Sequence, residues 1–457
     1  MSRFTKQRGE FWLPQSPDHK VDGDFELINE ALGLLTLYAV IDPTIDRATY
    51  CNEHFKRMQH SLIVGQLRSG EGLALLQTSF HSVSFDDTYC YFIDCTIFTG
   101  PILIGDESDL QFSNITFSFD NLPQYLGTCS IDHGHDLKPQ SFYCKYTSAD
   151  DSFSLTDSLS CRFNYVFDSS FSSYLSTAQF SPVTLIELRH TSVIGILDWL
   201  KLIDNSIGAF FSILIGHYLC PIRLSVKILF ESRPYQFDVF YRYFNKHKDI
   251  VSNKMQCLRN MMPELKDYIR NFMVFAGNYR VIVSNYLAII KFDAILEYQF
   301  LSAVYSVESF SRYVYENHYF FDKDEFNCKY NNPLTRYISE YLTDHENQDY
   351  IERLKNATKY SNERTLRSSL KLLFKENEEV ISQILDLDIA YDVNQIVNSR
   401  NWYTHFTKEL EFSAANGYDL YELYKKVRIL FEVLLFKQIK VPDDVIMSTI
   451  KSTYLLD

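Results

Sequence analysis

The chain has 457 residues, of which 46% are hydrophobic, 22% charged and 16% aromatic. This composition excludes global disorder and leaves room for two or three domains with sizeable cores. A net charge of −14 excludes a protein that coats nucleic acid by charge alone. The acidity is uneven: residues 241–457 carry 28 Lys+Arg against 30 Asp+Glu, which leaves 16 against 28 to residues 1–240. A local basic pocket is therefore compatible with the C-terminal half. The nine cysteines include no Cys-x-x-Cys, and Met1 to Pro14 contains no apolar run, so reduced thiols in a cytoplasmic protein are expected.

Residues 1–30 read as an extended arm with a turn at Asp22-Gly23-Asp24. The stretch to about residue 180 reads as strands. Leu34–Val40, Ser61–Leu67 and Gly72–Thr78 are short and aliphatic, Tyr89–Phe98 is aromatic and apolar, and Leu110–Phe119 alternates apolar with polar residues. Breakers such as Ser69-Gly70 and Gly105-Asp106 separate them. At about residue 181 the period changes, and Ser181-Pro182 is expected to open a helical region. Val193–Leu219 is the most apolar stretch, but Asp198, Lys201 and Asp204 interrupt it, and Ile207–Ile215 is too short to span a bilayer. No membrane association is expected. Ile222–Phe230 returns to alternation, as a last strand would. Beyond about residue 250 the expected helices cover roughly 250–278, 280–318, 334–344, 348–358, 362–384, 390–407 and 418–437, with Asp322–Asn332 as a surface loop. The fold class is α+β. A β-rich domain, sandwich-like or barrel-like, spans 1–235, with a helical segment near 183–219, and an all-helical domain spans 236–457.

The stretch Val397 to Phe406 stands out in the helical half. Val393, Ile396 and Val397 make one apolar stripe, and counting on by seven, four and three reaches Arg400. Asn401 and His405 are four apart and share a face. The spacing alone is cheap: with 20 Arg and 12 His, about one or two Arg-x(4–6)-His matches arise by chance. Arg47/His54, Arg242/His247 and Arg312/His318 match it too. Arg400/His405 differs because its arginine falls on an apolar stripe within a helix and is followed by Asn401. A second charge is misplaced in the same way. Leu301, Val304 and Tyr305 form a stripe on which Glu308 is next, and a buried carboxylate needs a partner. Glu308 and Arg400 are thus expected to face each other across two packed helices; the alternative is that each pairs with another nearby polar group. Arginine, amide and imidazole together suit the handling of a phosphate.

Two other clusters are weaker. Asp132-His133-Gly134-His135-Asp136 has metal-ligand residue types, with a polar loop as the alternative. Lys246, His247, Lys248 and Lys254 form a basic group that suits either RNA contact or a solvated face.

Arg400-Asn401-x-x-x-His405, near the end of a helical domain, resembles the signature of the HEPN superfamily of helical nucleases and nucleotide-binding domains. Gln299 to Phe310 resembles the acidic helix of its ApeA-like branch. Gly9-Glu10-Phe11-Trp12-Leu13-Pro14 with Val21-Asp22-Gly23 resembles the opening of the ApeA-type N-terminal domain, and His60–Leu67 with Gly72–Leu76 its next strand pair. The resemblance implies an antiphage defence protein of the abortive-infection type, with a metal-independent endoribonuclease as its helical domain. By position, Arg400 and His405 would be catalytic, Asn401 a polar helper and Glu308 an orienting acid. No cofactor or metal is implied. The implied partners are an RNA substrate, a second copy of the chain through the helical domain, and a phage-derived trigger. The alternatives are a non-catalytic HEPN-type module for nucleotide binding or dimerisation, and a purely structural protein.

Overall fold

The computed structural model describes residues 6–28, 32–45, 60–83, 88–119, 122, 131–137, 140–146, 151–172, 177–230, 232–242, 261, 264–292, 294–315, 319–342, 347–406 and 408–454. It divides into two compact units, one of Met1–Phe211 with Leu219–Val251 and the other of Ser212–Tyr218 with Ser252–Asp457.

The first unit is built on antiparallel strands. They are β1 (Gln7–Trp12), β2 (Val21–Ile28), β3 (Leu32–Leu37), β4 (Leu62–Leu67), β5 (Gly72–Val83), β6 (Tyr89–Gly100), β7 (Gln111–Phe119), β8 (Ile131–Leu137), β9 (Gln140–Tyr146), β10 (Asp151–Ser154), β11 (Leu159–Ser172), β12 (Thr177–Gly195), β13 (Pro221–Phe230) and β14 (Arg233–Tyr241). The main sheet runs β10-β11-β12-β7-β13-β14-β6-β3-β2-β1-β4-β5, and β5 pairs back onto β6. The strands from β6 to β5 therefore close into a six-stranded barrel, and the remainder extends from β6 as an open sheet. β6 serves both parts: Tyr89–Ile93 pairs with β3, and Cys95–Phe98 with β14.

Alternation fills the barrel. In β2, Val21, Gly23, Phe25 and Leu27 are buried while Asp22 is exposed and Asp24 and Glu26 are half-covered. Phe11, Phe25, Leu35, Ile63, Leu75, Tyr91 and Phe98 belong to one core cluster. A Cβ at Gly65 would lie 2.6 Å from the Phe11 ring, so glycine in β4 makes room for that ring. The segment read as an extended arm is thus β1 and β2, and its acidic residues are the outward half of a strand pattern.

Two further expectations are corrected. Ser181-Pro182 lies inside β12, where Pro182 stands opposite Phe167 in the β11 ladder. After Ser181-Pro182, helix begins only at Ile196, as α1 (Ile196–Asn205) and α2 (Ile207–Ile215). Trp199 of α1 is buried, and its indole Nε1–H donates to the Phe112 carbonyl at 2.9 Å. A domain boundary at 235/236 would cut β14, whose ladder with β6 continues to Tyr241.

His60 adjoins the barrel, and its backbone N–H and carbonyl bond the Thr78 hydroxyl at 3.0 and 2.8 Å. Its Nε2 and the Tyr91 hydroxyl are buried without hydrogen-bond partners among the described residues. Burial holds the imidazole below its usual range, offset in part by the charge of Asp42. The unfolded chain takes up this proton near pH ~6.5, and the folded one only at lower pH. The stabilising contribution is complete above about pH 6.5 and is lost as pH falls through that value to the folded one. Melting temperatures at pH 7.5 and 5.5 (~2 units apart across the imidazole range) are expected to fall more for wild type than for His60→Gln. Equal falls would show that His60 plays no part.

The second unit is helical. Its helices are α3 (Leu265–Asn278), α4 (Arg280–Lys291), α5 (Leu296–Tyr313), α6 (Lys323–Phe326), α7 (Asn332–Tyr341), α8 (Gln348–Tyr360), α9 (Leu366–Glu376), α10 (Glu378–Ile381), α11 (Ile389–His405), α12 (Gly417–Gln438) and α13 (Asp443–Tyr454). α5 packs against α4, α9, α11 and α12, and α11 against α9 and α12. The expected helix 280–318 is broken where Phe292 and Ile295 turn extended. The expected loop at Asp322 is instead a helix start: the Asp322 carboxylate caps the Asp324 and Glu325 N–H groups, and a π-turn over Asn327–Asn331 joins α6 to α7.

A charged group is buried beside α12. Arg428 donates from Nε to Glu432 Oε1 (3.3 Å) and to the Tyr286 hydroxyl (3.0 Å), and from Nη1 to the Tyr424 hydroxyl (3.4 Å). The hydroxyls of Tyr286 and Tyr454 donate to the same Glu432 oxygen. Among the described residues no single helix is long and apolar enough to cross a membrane; α3 and α4 meet that test only together, across a 108° bend.

Candidate functional site

α11 begins where the Asp388 carboxylate caps the Tyr391 N–H, and it ends at His405. Its C-cap, Phe406, is left-handed at φ 51°, a conformation more often taken by glycine. Val393, Ile396 and Val397 are buried as their spacing requires. Asp392, on the same helix, is buried and accepts both short contacts of Lys426 Nζ from α12, each 2.8 Å. Two further bonds fix the last turns: the Ala415 N–H donates to Ser399 Oγ, and the Tyr403 hydroxyl to the Ala415 carbonyl, both at 2.9 Å. The helix end that carries the candidate residues is therefore held by packing and by polar ties to the loop that follows it.

Arg400 and Glu308 meet. Nη2 of Arg400 lies 3.5 Å from Oε2 of Glu308 on α5, and Nη1 donates to Asn401 Oδ1 at 3.1 Å. The depth differs from expectation. The Arg400 side chain is 29% exposed and that of Glu308 17%, so both sit at the margin of the core. The reason is visible on α5. Its buried face runs through Phe300, Ala303, Val304, Val307 and Phe310, whereas Tyr305 is exposed, so Glu308 flanks the stripe instead of continuing it.

Sequence reasoning missed one member of this group. Arg312, one helical turn beyond Glu308, donates from Nη2 to Glu308 Oε1 at 3.0 Å. The Glu308-x-x-x-Arg312 spacing was the available signal, since residues four apart on a helix are neighbours. His405 is exposed at the end of α11, on the face of Asn401. The same face carries Asn398 and Asn394, which accept from Arg367 of α9 at 3.5 and 2.7 Å. Arginine, carboxylate and amide are thus preassembled in the last turns of the helix that ends at the accessible imidazole of His405. Such a group can bind a phosphate and move a proton next to it.

The side chains of the other sequence candidates fall mostly outside the described residues. Asp132–Asp136 lies in β8, paired with β9 in a separate two-stranded sheet, so it is a strand and not a loop; its side chains are outside the described residues. His54, His247, His318, Arg47 and Lys246–Lys254 also lie outside them. Among the described residues no three His, Cys, Asp or Glu side chains are gathered as metal ligands.

The chain matches the family model for ApeA N-terminal domain 1 over residues 6–272, and that for Apea-like HEPN over residues 301–445. The chain is an ApeA-like HEPN protein. The first match spans the barrel and all of its sheet extension, and the second holds Glu308, Arg312, Arg400, Asn401 and His405. No curated protein and no solved structure matches this ApeA-like chain. The two domain families give it an antiphage HEPN-type character.

Proposed function

We propose that this ApeA-like protein is a metal-independent endoribonuclease of antiphage, abortive-infection defence. The reading is carried by one observation: the Arg400 guanidinium is braced by Glu308 and Asn401 in the last turns of the helix that ends at the exposed His405. In the reaction, an RNA 2′-oxygen bonds to the adjacent phosphorus and the P–O5′ bond breaks, leaving a cyclic phosphate and a 5′-hydroxyl. A base takes the 2′-hydroxyl proton and an acid returns one to the 5′-oxygen. Imidazole serves either role near neutral pH. Arg400 holds the non-bridging oxygens as charge builds on them. A homodimer through the helical unit would bring a second copy of the motif to the same groove and supply both proton-transfer groups. The N-terminal unit would then sense a phage-derived trigger, and the protein would act in the cytoplasm on RNA.

The test is incubation of wild type and His405→Ala with total RNA, followed by mapping of the cut ends. Wild type is expected to leave cyclic phosphates, and to do so in the presence of a chelator. His405→Ala is expected to lose about 10²–10⁴-fold in rate with an unchanged melting temperature. Equal cutting by the two proteins would reject the proposal.

A further inference from the structure

Glu308 is shared. One carboxylate oxygen faces Arg400 on α11 and the other faces Arg312 on α5. The carboxylate is the least exposed of the three side chains, at 17%, against 29% for Arg400 and 47% for Arg312. Two guanidiniums are therefore pinned above a half-covered carboxylate and open toward solvent. One negative charge cannot neutralise two positive ones, so the group keeps a net positive charge before His405 is counted. The bonds are also unequal. Glu308 lies 3.0 Å from Arg312 and 3.5 Å from Arg400, so the Arg400 charge is the less satisfied. Each guanidinium has five N–H donors. Among the described residues Arg312 uses Nη2 on Glu308, and Arg400 uses Nη2 and Nη1, which leaves donors on both for a further anion.

We propose that Arg312 is a second phosphate-binding residue of this site. It holds the RNA backbone phosphate beside the one that Arg400 takes, and Glu308 sets the distance between the two guanidiniums. The identification of the ligand as RNA rests on the ribonuclease reading. Arg312 is a positioning residue: it fixes the strand, and the proton transfers stay with the imidazole. The competing view is an ordinary exposed i,i+4 ion pair, whose loss would leave both folding and ligand affinity nearly unchanged.

The experiment measures binding of a fluorescent single-stranded RNA to full-length His405→Ala protein by anisotropy, across a salt series. Adding Arg312→Ala is expected to weaken binding about 10-fold and to make the slope of log affinity against log salt shallower by about 0.7. Arg312→Lys is expected to restore the slope but only part of the affinity, because ammonium keeps the charge and loses the fork. Arg336→Ala, which breaks the exposed Arg336–Glu340 pair of α7, removes the same charge elsewhere and is expected to change neither. In the cutting enzyme, Arg312→Ala is expected to raise KM and leave kcat within about 3-fold. Parent-like affinity and slope in Arg312→Ala would overturn the proposal, as would an absence of RNA binding in the parent. Loss of binding in Arg312→Ala, together with a wild type that cuts nothing, would reject the ribonuclease reading and leave Arg312 as a nucleic-acid contact.

Discussion

Arg428→Ala is expected to destabilise the helical unit by about 3–5 kcal/mol, the range for breaking a buried ion pair from one side. Arg428 and Glu432 are side by side on α12 and almost fully enclosed. Burial pushes the Glu432 carboxyl upward against the opposing pull of Arg428. Among the described residues, removing the guanidinium leaves that carboxylate with the Tyr286 and Tyr454 hydroxyls alone, and leaves the Gly216 carbonyl, which accepts from Arg428 Nη2 at 3.4 Å, without that donor. Urea unfolding followed by the helical circular dichroism signal measures the loss. The double variant Arg428→Met/Glu432→Leu is expected to be less destabilised than the single one, because it removes both charges at once. A single variant as stable as wild type would mean that the pair is solvated in solution.

Arg400→Lys is expected to lower kcat/KM for RNA about 10²–10³-fold, with melting unchanged to within about 1 kcal/mol of stability. The separation between activity and stability follows from position. Arg400 is at the core margin, and Glu308 retains Arg312 when Arg400 is altered. What lysine removes is the planar fork, which at present contacts Glu308 and Asn401 through different nitrogens while facing outward. Single-turnover cleavage beside a thermal melt decides the matter. A lysine variant that cuts at the wild-type rate would remove Arg400 from the chemistry.

The strand content of the first unit was legible where alternation was clean, as in Gln111–Phe119, and helix α11 from its apolar stripe. Barrel closure was not legible. It depends on β5 pairing with β6 and on β1 pairing with both β2 and β4, and no local pattern encodes which strands meet. β2 was overlooked because Asp22-Gly23-Asp24 looks like a turn, although those residues are the pleat of a half-buried strand. Pro182 misled in the same manner, since proline also opens helices. Helix α13 was missed even though Pro442-Asp443-Asp444 is an ordinary helix start with acids in the first turn. At the site, the partnership of Arg400 with Glu308 could be read from two charges that each interrupt an apolar pattern. Its depth could not, because Glu308 lies beside the buried face of α5 and the long arginine side chain reaches the rim from its stripe position. Arg312 was read only with His318, a pairing along the sequence that drew attention away from Glu308 one turn behind it.

The main sheet bends back on itself at β6, so its β5 end is closed, and its other end is β10, a strand of four residues, Asp151–Ser154. A row of unsatisfied backbone donors and acceptors invites a foreign strand to add on, and long flat rows invite it most. β10 covers only Ser160–Phe163 of β11, so among the described residues Asn164–Ser172 of β11 pairs with β12 on one side and with no strand on the other. The closed barrel therefore offers little to an added strand, and the arm that β11 and β12 form beyond β10 is the part of the sheet on which one could pair.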